Sequence, residues 1–481
     1  MGNLLSTLSD FIVEHWEVLD VLLAITGLVI YVAASHSLNQ RRHPSAAIAW
    51  VLSILLVPWL ALPLYLAFGS RKVSYPFPLP RRSLADFSVS ASSPTVVRSL
   101  QLGEAMGLSE PSPYECLTIH EDGAQALSAL RRLITSASSS LEISTFLLGR
   151  DVLGNEIVEM LKQRARAGVK VRLLIDGIGI YMGGYPDLKE LERSGVSVVR
   201  FVPPFKSRQR GRTNLRNHRK MIIADGEALW CGGRNLSAEY FDGDPDSIFR
   251  RKPWVDLSFD LRGKLVRQVR QQFELDWAFA TNHELPERRP TPVEEDDESG
   301  KLSSAQAQLI DSGPDRSDDT IFTLLISACF TSQKRILAVT PYFVPGESLL
   351  TAMTLAARRG IKVDLVLPAR SNHHLADFVR HRALRDLVAS GGQVWLHPRM
   401  IHAKAVLIDD DLVLAGSANL DGRSLFLNYE MMIAFYDRKA VFSFSQWVEA
   451  RKQECRRYAS QRPGMLRELA EGLLLWLAFQ L

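Results

Sequence analysis

An α/β fold made of two related halves behind an apolar N-terminal segment is predicted by three features of the 481-residue chain. The stretch NHRKMIIADGEALWCGGRN, residues 217–235, returns in register as IHAKAVLIDDDLVLAGSAN, residues 401–419. Around each copy, runs with apolar residues at helical spacing alternate with short runs of strand character. Ahead of both lie two long apolar runs. Strands alternating with helices argue for a mainly parallel sheet with helices on both faces in each half. Two such halves can dock about a pseudo-two-fold axis and bring their motifs together.

The N-terminal runs come first in the chain. Residues 18–34 are apolar except for Asp20 and Thr26, and residues 45–68 carry no charge. A bilayer core takes about 20 apolar residues, so a transmembrane hairpin is expected within 1–72, with helices at about 18–34 and 45–68. Pro58 and Pro63 make the second run kinked or re-entrant. A cleaved signal peptide fits less well, because residues 1–20 hold Asp10, Glu14, Glu17 and Asp20 and no Lys or Arg. Arg71, Lys72, Arg81 and Arg82 outnumber Arg41 and Arg42 of the link, which places the following domains on the cytoplasmic side.

After a connecting segment, 73–115, the first domain is expected over 116–289. It reads as helix 124–136, strand 141–148, helix 155–167, strand 169–175, the first motif and a helix over 261–278. Residues 290–300, beginning PTPVEEDDES, form an acidic linker. The second domain, 301–460, repeats the order: helix 319–331, strand 335–344, helix 348–359, strand 363–367, helix 374–390 and the second motif. The apolar tail 461–481 is too short to span; it either lies in the membrane interface or covers a groove in the core.

Composition sets outer bounds. A net charge of +4 and a pI near 8.8 are compatible with an anionic surface without naming one. The four cysteines show neither CxxC nor a His partner at metal spacing, so no zinc site or disulfide framework is implied.

The motifs carry the chemistry. Each has a His, a Lys two residues on, an Asp seven on and an Asn seventeen on: His218, Lys220, Asp225 and Asn235, then His402, Lys404, Asp409 and Asn419. Each reads as strand, tight turn and strand, so period-two alternation puts His and Lys on one face. Neutral imidazole is a nucleophile, Lys supplies a point charge for phosphate oxygens, and an Asn amide adds a donor. Two such sets facing each other suit attack on phosphorus, with one His attacking and the other acting as acid and then base. Asp225 and Asp409 close the motif strand, either anchoring the turn or acting directly.

This doubled HxKxxxxD pattern, followed by GG or GS and an Asn, resembles the phospholipase D superfamily. The hairpin sequence RRHPSAAIAWVLSILLVPWLALPLYLAFG, SGPD at 312–315, TPYFVP at 340–345, LPARS and GSANLDGRSLFLNYE at 416–430 are similar to bacterial cardiolipin synthases of the two-helix, membrane-anchored type. The resemblance implies two phospholipase D-like domains that transfer a phosphatidyl group from one phosphatidylglycerol to another through a phosphohistidine, with no metal or other cofactor. It implies anionic phospholipids as partners and residence in the bacterial inner membrane. His218 is the expected nucleophile by family habit. Glu430 is expected to orient His402, with Asp256 as its counterpart in the first half. Lys206, Arg208, Arg210, Arg212, Arg216 and Arg219 either flank a substrate entrance, each worth roughly 1 kcal/mol near an anionic surface, or form a solvated loop. The chain departs from the family at HPRMIH, which lacks an aromatic residue before the His, and at Ser237, where glycine is commoner; both bear on acceptor preference.

Rival readings are a phospholipase D using water, a phosphatidyltransferase with another acceptor, and a nuclease. The hairpin, and the lack of aromatic residues along the basic run, argue against a nucleic-acid partner. A scaffold with a dead site is disfavoured because both motifs keep His and Lys.

Overall fold

The computed structural model describes residues 15–37, 44–69, 72, 93–204, 214–243, 252–283 and 305–478. The expected linker, the link residues 38–43, the segment 73–92 and Lys206, Arg208, Arg210 and Arg212 lie outside them. The chain divides into a smaller unit that is mainly N-terminal, with short pieces around 204–215 and 314–317, and a larger one holding both motifs.

In the N-terminal unit, α1 (Trp16–Ser37) is long and apolar enough to cross a membrane, with mean hydropathy 2.1 over Trp16–Ala34. The second apolar run is not one helix. It splits into α2 (Pro44–Leu56) and α3 (Pro58–Phe68), with Val57 at φ −145° between them. Pro58 forces this break: its ring disfavours a helical conformation at the preceding residue, while fitting the first turn of a new helix. At 13 and 11 residues, neither piece reaches the length of about 20 residues that a span needs, so among the described residues there is one spanning candidate, not a pair. The three helices pack around Tyr31, Ile54, Ala61 and Tyr65.

The larger unit is built on two sheets. The first contains β1 (Glu115–Ile119), β2 (Ser140–Thr145), β3 (Lys170–Asp176), β4 (Ser197–Phe201), β5 (Met221–Ala224), β6 (Ala228–Gly232) and β7 (Ser258–Arg262), in the order β1-β7-β6-β5-β2-β3-β4. The second contains β8 (Gln306–Ser312), β9 (Arg335–Val339), β10 (Lys362–Pro368), β11 (Gln393–His397), β12 (Ala405–Ile408), β13 (Leu412–Gly416) and β14 (Glu430–Phe435), in the order β8-β14-β13-β12-β9-β10-β11, with a two-residue strand at each edge. The two orders are the same, element for element.

The sheets are mixed rather than mainly parallel. In the first, only β2–β3 and β3–β4 run parallel, and the four remaining pairings are antiparallel; the second repeats this. The alternating helices account for the parallel pairs. Each motif is a hairpin whose second strand pairs with the strand after it, and that makes the rest antiparallel.

Helices cover both faces of the first sheet. Residues 123–136 and 152–166, capped by Asp122 and Asp151, bury apolar faces with Leu141 and Ile143 of β2. Glu142, between those two, points to the other face and meets Arg172, which also pairs with Glu274 of α4 (Leu265–Thr281). Helix α4 also touches β8, so it lies between the halves. In the tail, the helix Met465–Ala478 buries Glu471 against Arg385 and leaves Met465, Leu466 and Leu469 exposed.

Candidate active site

Each motif histidine is fixed by a main-chain bridge to the opposite half. His218 N–H donates to Tyr429 O at 2.9 Å while Tyr429 N–H donates to Arg216 O at 2.9 Å. In the second copy, His402 N–H donates to Val255 O at 2.6 Å and Val255 N–H to Met400 O at 2.8 Å. The sheets thus meet at the two points where the motifs begin.

These bridges decide which carboxylate each imidazole receives. His218 Nδ1 lies 2.9 Å from Glu430 Oε1, and His402 Nδ1 lies 2.7 Å from Asp256 Oδ2. The expected pairing within each half is therefore corrected to a crossed one, because the residue before each carboxylate is the partner, or its neighbour, in the bridge to the other half's motif. The two carboxylates occupy equivalent places. Each stands two residues before the one that pairs with the glycine ending the motif hairpin, Ser258 with Gly232 and Met432 with Gly416. Both are fully buried. Glu430 is also held by Ser417 Oγ at 2.5 Å and Asn428 Nδ2 at 3.3 Å. A Cβ at Gly233 would lie 2.2 Å from Asp256 Oδ1, which explains the glycine there.

The lysines sit beside their histidines as the alternation requires. Lys220 Nζ donates to His218 O at 2.8 Å, and Lys404 Nζ donates to His402 O and lies 2.7 Å from His402 Nδ1. Asn235 and Asn419 are buried, each with an Oδ1 that has no partner among the described residues. Their amide nitrogens face Tyr240 and Asp421.

Burial sets the charge states. It lowers the imidazole of His218 to about 4 despite Glu430, and that of His402 to about 3, assisted by Lys404. The ammonium groups of Lys220 and Lys404 fall to about 7 and about 8 for the same reason. Burial opposes the charge of Asp256, but His402 and Lys404 outweigh it and bring it to about 2. Lys404 acts on His218 and Lys220 on His402, so the two motifs lie within electrostatic reach of each other.

Asp225 and Asp409 are not among these groups. Each sits beyond the far end of its motif strand, at φ 54° and 53°. Asp225 accepts from the amides of Ser138, Ser139 and Ser140, and Asp409 from those of Gln333, Lys334 and Arg335. Of the two roles open to them in the sequence, the geometry supports the turn anchor. Burial opposes the charge on Asp225, and the three amides outweigh it and hold the carboxylate well below its ordinary range. Asp225→Ala is expected to lower stability by about 2–3 kcal/mol, as loss of charge-assisted bonds does, and to leave kcat of the folded fraction unchanged; urea titration beside a kinetic assay checks both.

Sequence reasoning missed the aromatic walls. Phe146 meets the His218 ring edge-on at 5.5 Å, and Tyr240 and Trp254 flank His402 at 5.1 and 5.4 Å. Nothing in their spacing marks them, although Trp254 stands two residues before Asp256. Of the basic run, Arg216 and Arg219 are described and both are buried, so neither belongs to a solvated loop. Ser237, one of the departures, turns to Asp151, its Oγ 2.7 Å from Oδ2.

Residues 130–277 and 325–452 match the family described as cardiolipin synthase, phospholipase D-like domain. The chain belongs to this family. Residues 22–70 match the phospholipase D-nuclease N-terminal family, which fits the apolar N-terminal unit. Among cardiolipin synthase relatives, cardiolipin synthase A of Pseudomonas aeruginosa is 29% identical over 446 residues, 89% of either chain. A probable cardiolipin synthase of Bacillus subtilis is 30% identical over 346 residues, 70% of this chain and 66% of that one. Among solved structures, the phosphatidylserine synthase of Haemophilus influenzae has the same fold, with TM-score 0.60 and 14% identity over 80% of this chain and all of that one.

Proposed function

We propose that this membrane-associated member of the cardiolipin synthase family is a phosphatidyltransferase that joins two phosphatidylglycerols into cardiolipin and glycerol. The observation that carries the reading is the reciprocal one: each imidazole, with a lysine beside it, takes its carboxylate from the opposite half, so the two motifs make a single site. His218 attacks the phosphorus of the first lipid through Nε2, its Nδ1–H held by Glu430. His402 gives a proton to the departing glycerol oxygen, and a phosphatidyl–His218 bond replaces the phosphoester bond that breaks. His402 then takes the proton from a hydroxyl of the second phosphatidylglycerol as that oxygen displaces His218. Lys220, Lys404, Asn235 and Asn419 hold the phosphate oxygens. A phosphodiester anion between the motifs favours the charged forms of His402 and of both lysines, which burial alone disfavours. The reaction belongs to the bacterial inner membrane, with α1 as anchor and the two domains on the cytoplasmic side.

The test is product analysis with pure phosphatidylglycerol as the sole lipid. Cardiolipin and glycerol in equal amounts support the reading, and phosphatidic acid in place of cardiolipin would assign the chain to phospholipase D chemistry.

A pH dependence follows. Above about 7 to 8 the free lysines lose their protons, and with them the charge that binds an anionic headgroup. The ratio kcat/KM, which reports on the free enzyme, is therefore expected to fall more steeply with rising pH through that range than below it, where only His402 titrates, while the corresponding limb of kcat lies higher because bound phosphate raises the lysines. Lys220→Arg, charged at any accessible pH, should move the kcat/KM limb upward. A limb that stays in place would detach it from Lys220.

A further inference from the structure

His218 lies between two residues whose side chains point the other way, into the interface of the halves. Arg219 is fully buried and forms an ion pair with Asp276 of α4, itself 2% exposed. Its guanidinium donates from Nε to Glu430 O and from Nη2 to Ser312 O, both at 3.0 Å, and sits 5.3 Å from the centre of the Tyr429 ring. Glu430 and Ser312 are cross-strand partners, so Arg219 grips the end of the β8–β14 ladder by both carbonyls. On the other side of His218, Asn217 Nδ2 reaches Asp276 Oδ2 at 3.5 Å, and Asn217 Oδ1 accepts the Arg219 N–H at 3.0 Å. Gln272 adds a bond to Asp276 Oδ1 at 2.9 Å.

Among the described residues, the positions flanking His402 carry no such network. The corresponding residues are Ile401 and Ala403, both apolar and buried. The network formed by the residues flanking the motif histidine is thus one-sided: it braces the main chain of Glu430, the carboxylate that holds His218, whereas the charge beside Asp256 comes from Arg234, which donates to Tyr240 O and Ser258 Oγ instead.

We propose that Arg219 is a positioning residue for His218. With its Asp276 partner it fixes Glu430, and through Glu430 the orientation of the imidazole that attacks phosphorus. The anion and the two carbonyls are each met by a different nitrogen of the rigid guanidinium; an ammonium carries its three N–H groups on one nitrogen and does not reach acceptors spaced to fit three. The proposal rests on the reading that His218 forms the phosphatidyl adduct.

The test compares Arg219→Lys with the double variant Arg219→Met/Asp276→Leu, in the full chain reconstituted into phosphatidylglycerol vesicles. Removing both charges together leaves no lone buried ion, so the double variant keeps the fold even if the single one does not. Both are expected to lose about 10- to 100-fold in kcat, the usual cost of disturbing a group that orients a catalytic side chain, with KM little changed. A donor with a p-nitrophenyl leaving group separates the steps, because that group departs without a proton. Adduct formation from this donor, stopped with alkaline denaturant because acid cleaves the P–N bond of a phosphohistidine, should be as slow in the variants as overall turnover. A double variant that unfolds at the wild-type temperature and turns over within about threefold of wild type would reduce Arg219 to a packing element. If His218→Ala stays active, the reading of the site fails first; if it is dead while both Arg219 variants run normally, only the positioning role fails.

Discussion

Replacing either imidazole by a methyl group, His218→Ala or His402→Ala, is expected to lower cardiolipin formation by at least about 10⁴-fold, since removing a nucleophile or its acid–base partner from a covalent mechanism costs on that order. The two losses differ in kind. Without His218 no adduct forms from any donor. Without His402 the adduct still forms from a p-nitrophenyl donor and then persists, because no base remains to activate the second lipid. Each imidazole is tied to a carboxylate of the same chain, so mixing the two inactive proteins should not restore turnover. Product analysis by mass spectrometry with circular dichroism on each variant checks all of this. Activity above about one per cent in either variant would mean that a single motif suffices, contrary to the unitary behaviour of such groups.

The second expectation concerns the exchanged carboxylates. Glu430→Gln and Asp256→Asn keep size and remove charge, so each should leave its imidazole in place but in the wrong tautomer, at a cost of about 10²- to 10⁴-fold. Because Glu430 serves His218, Glu430→Gln should impair adduct formation from every donor. Because Asp256 serves His402, the Asp256→Asn protein should form the adduct readily from the p-nitrophenyl donor and then fail to pass it on. A pairing within each half gives the reverse pattern. Quenched-flow measurement of the adduct separates the two.

Much of this was legible in the chain. The doubled motif named the histidines, lysines and asparagines that the structure brings into one neighbourhood, because period-two alternation is a local rule. Helices such as 123–136 and 320–331 fell near their expected places for the same reason. The partners of the histidines were not legible, since proximity along the chain put Glu430 with His402, and only the bridges carry Glu430 to His218, at Tyr429, and Asp256 to His402, at Val255. Sheet direction was misread because hairpin strands and buried parallel strands share the same apolar runs. Strands β4 and β11 escaped because Ser197–Phe201 and Gln393–His397 are short and only partly buried. The break at Pro58 was foreseeable as a kink, but not as the end of a helix. Arg216 and Arg219 looked like part of a basic surface until the acids that bury them, Asp176 and Asp276, were seen to come from 40 and 57 residues away.

The identical strand order of the two sheets bears on ancestry. A precursor with one motif could have closed both imidazole–carboxylate bonds only by associating with its own twin, since neither half keeps its acid for itself. Fusion of two such copies would make that association permanent and release each from the need to stay the same. The traces of that release are visible: one copy orients its neighbour with an aspartate and the other with a glutamate, and the residue between His and Lys is an arginine in one and an alanine in the other.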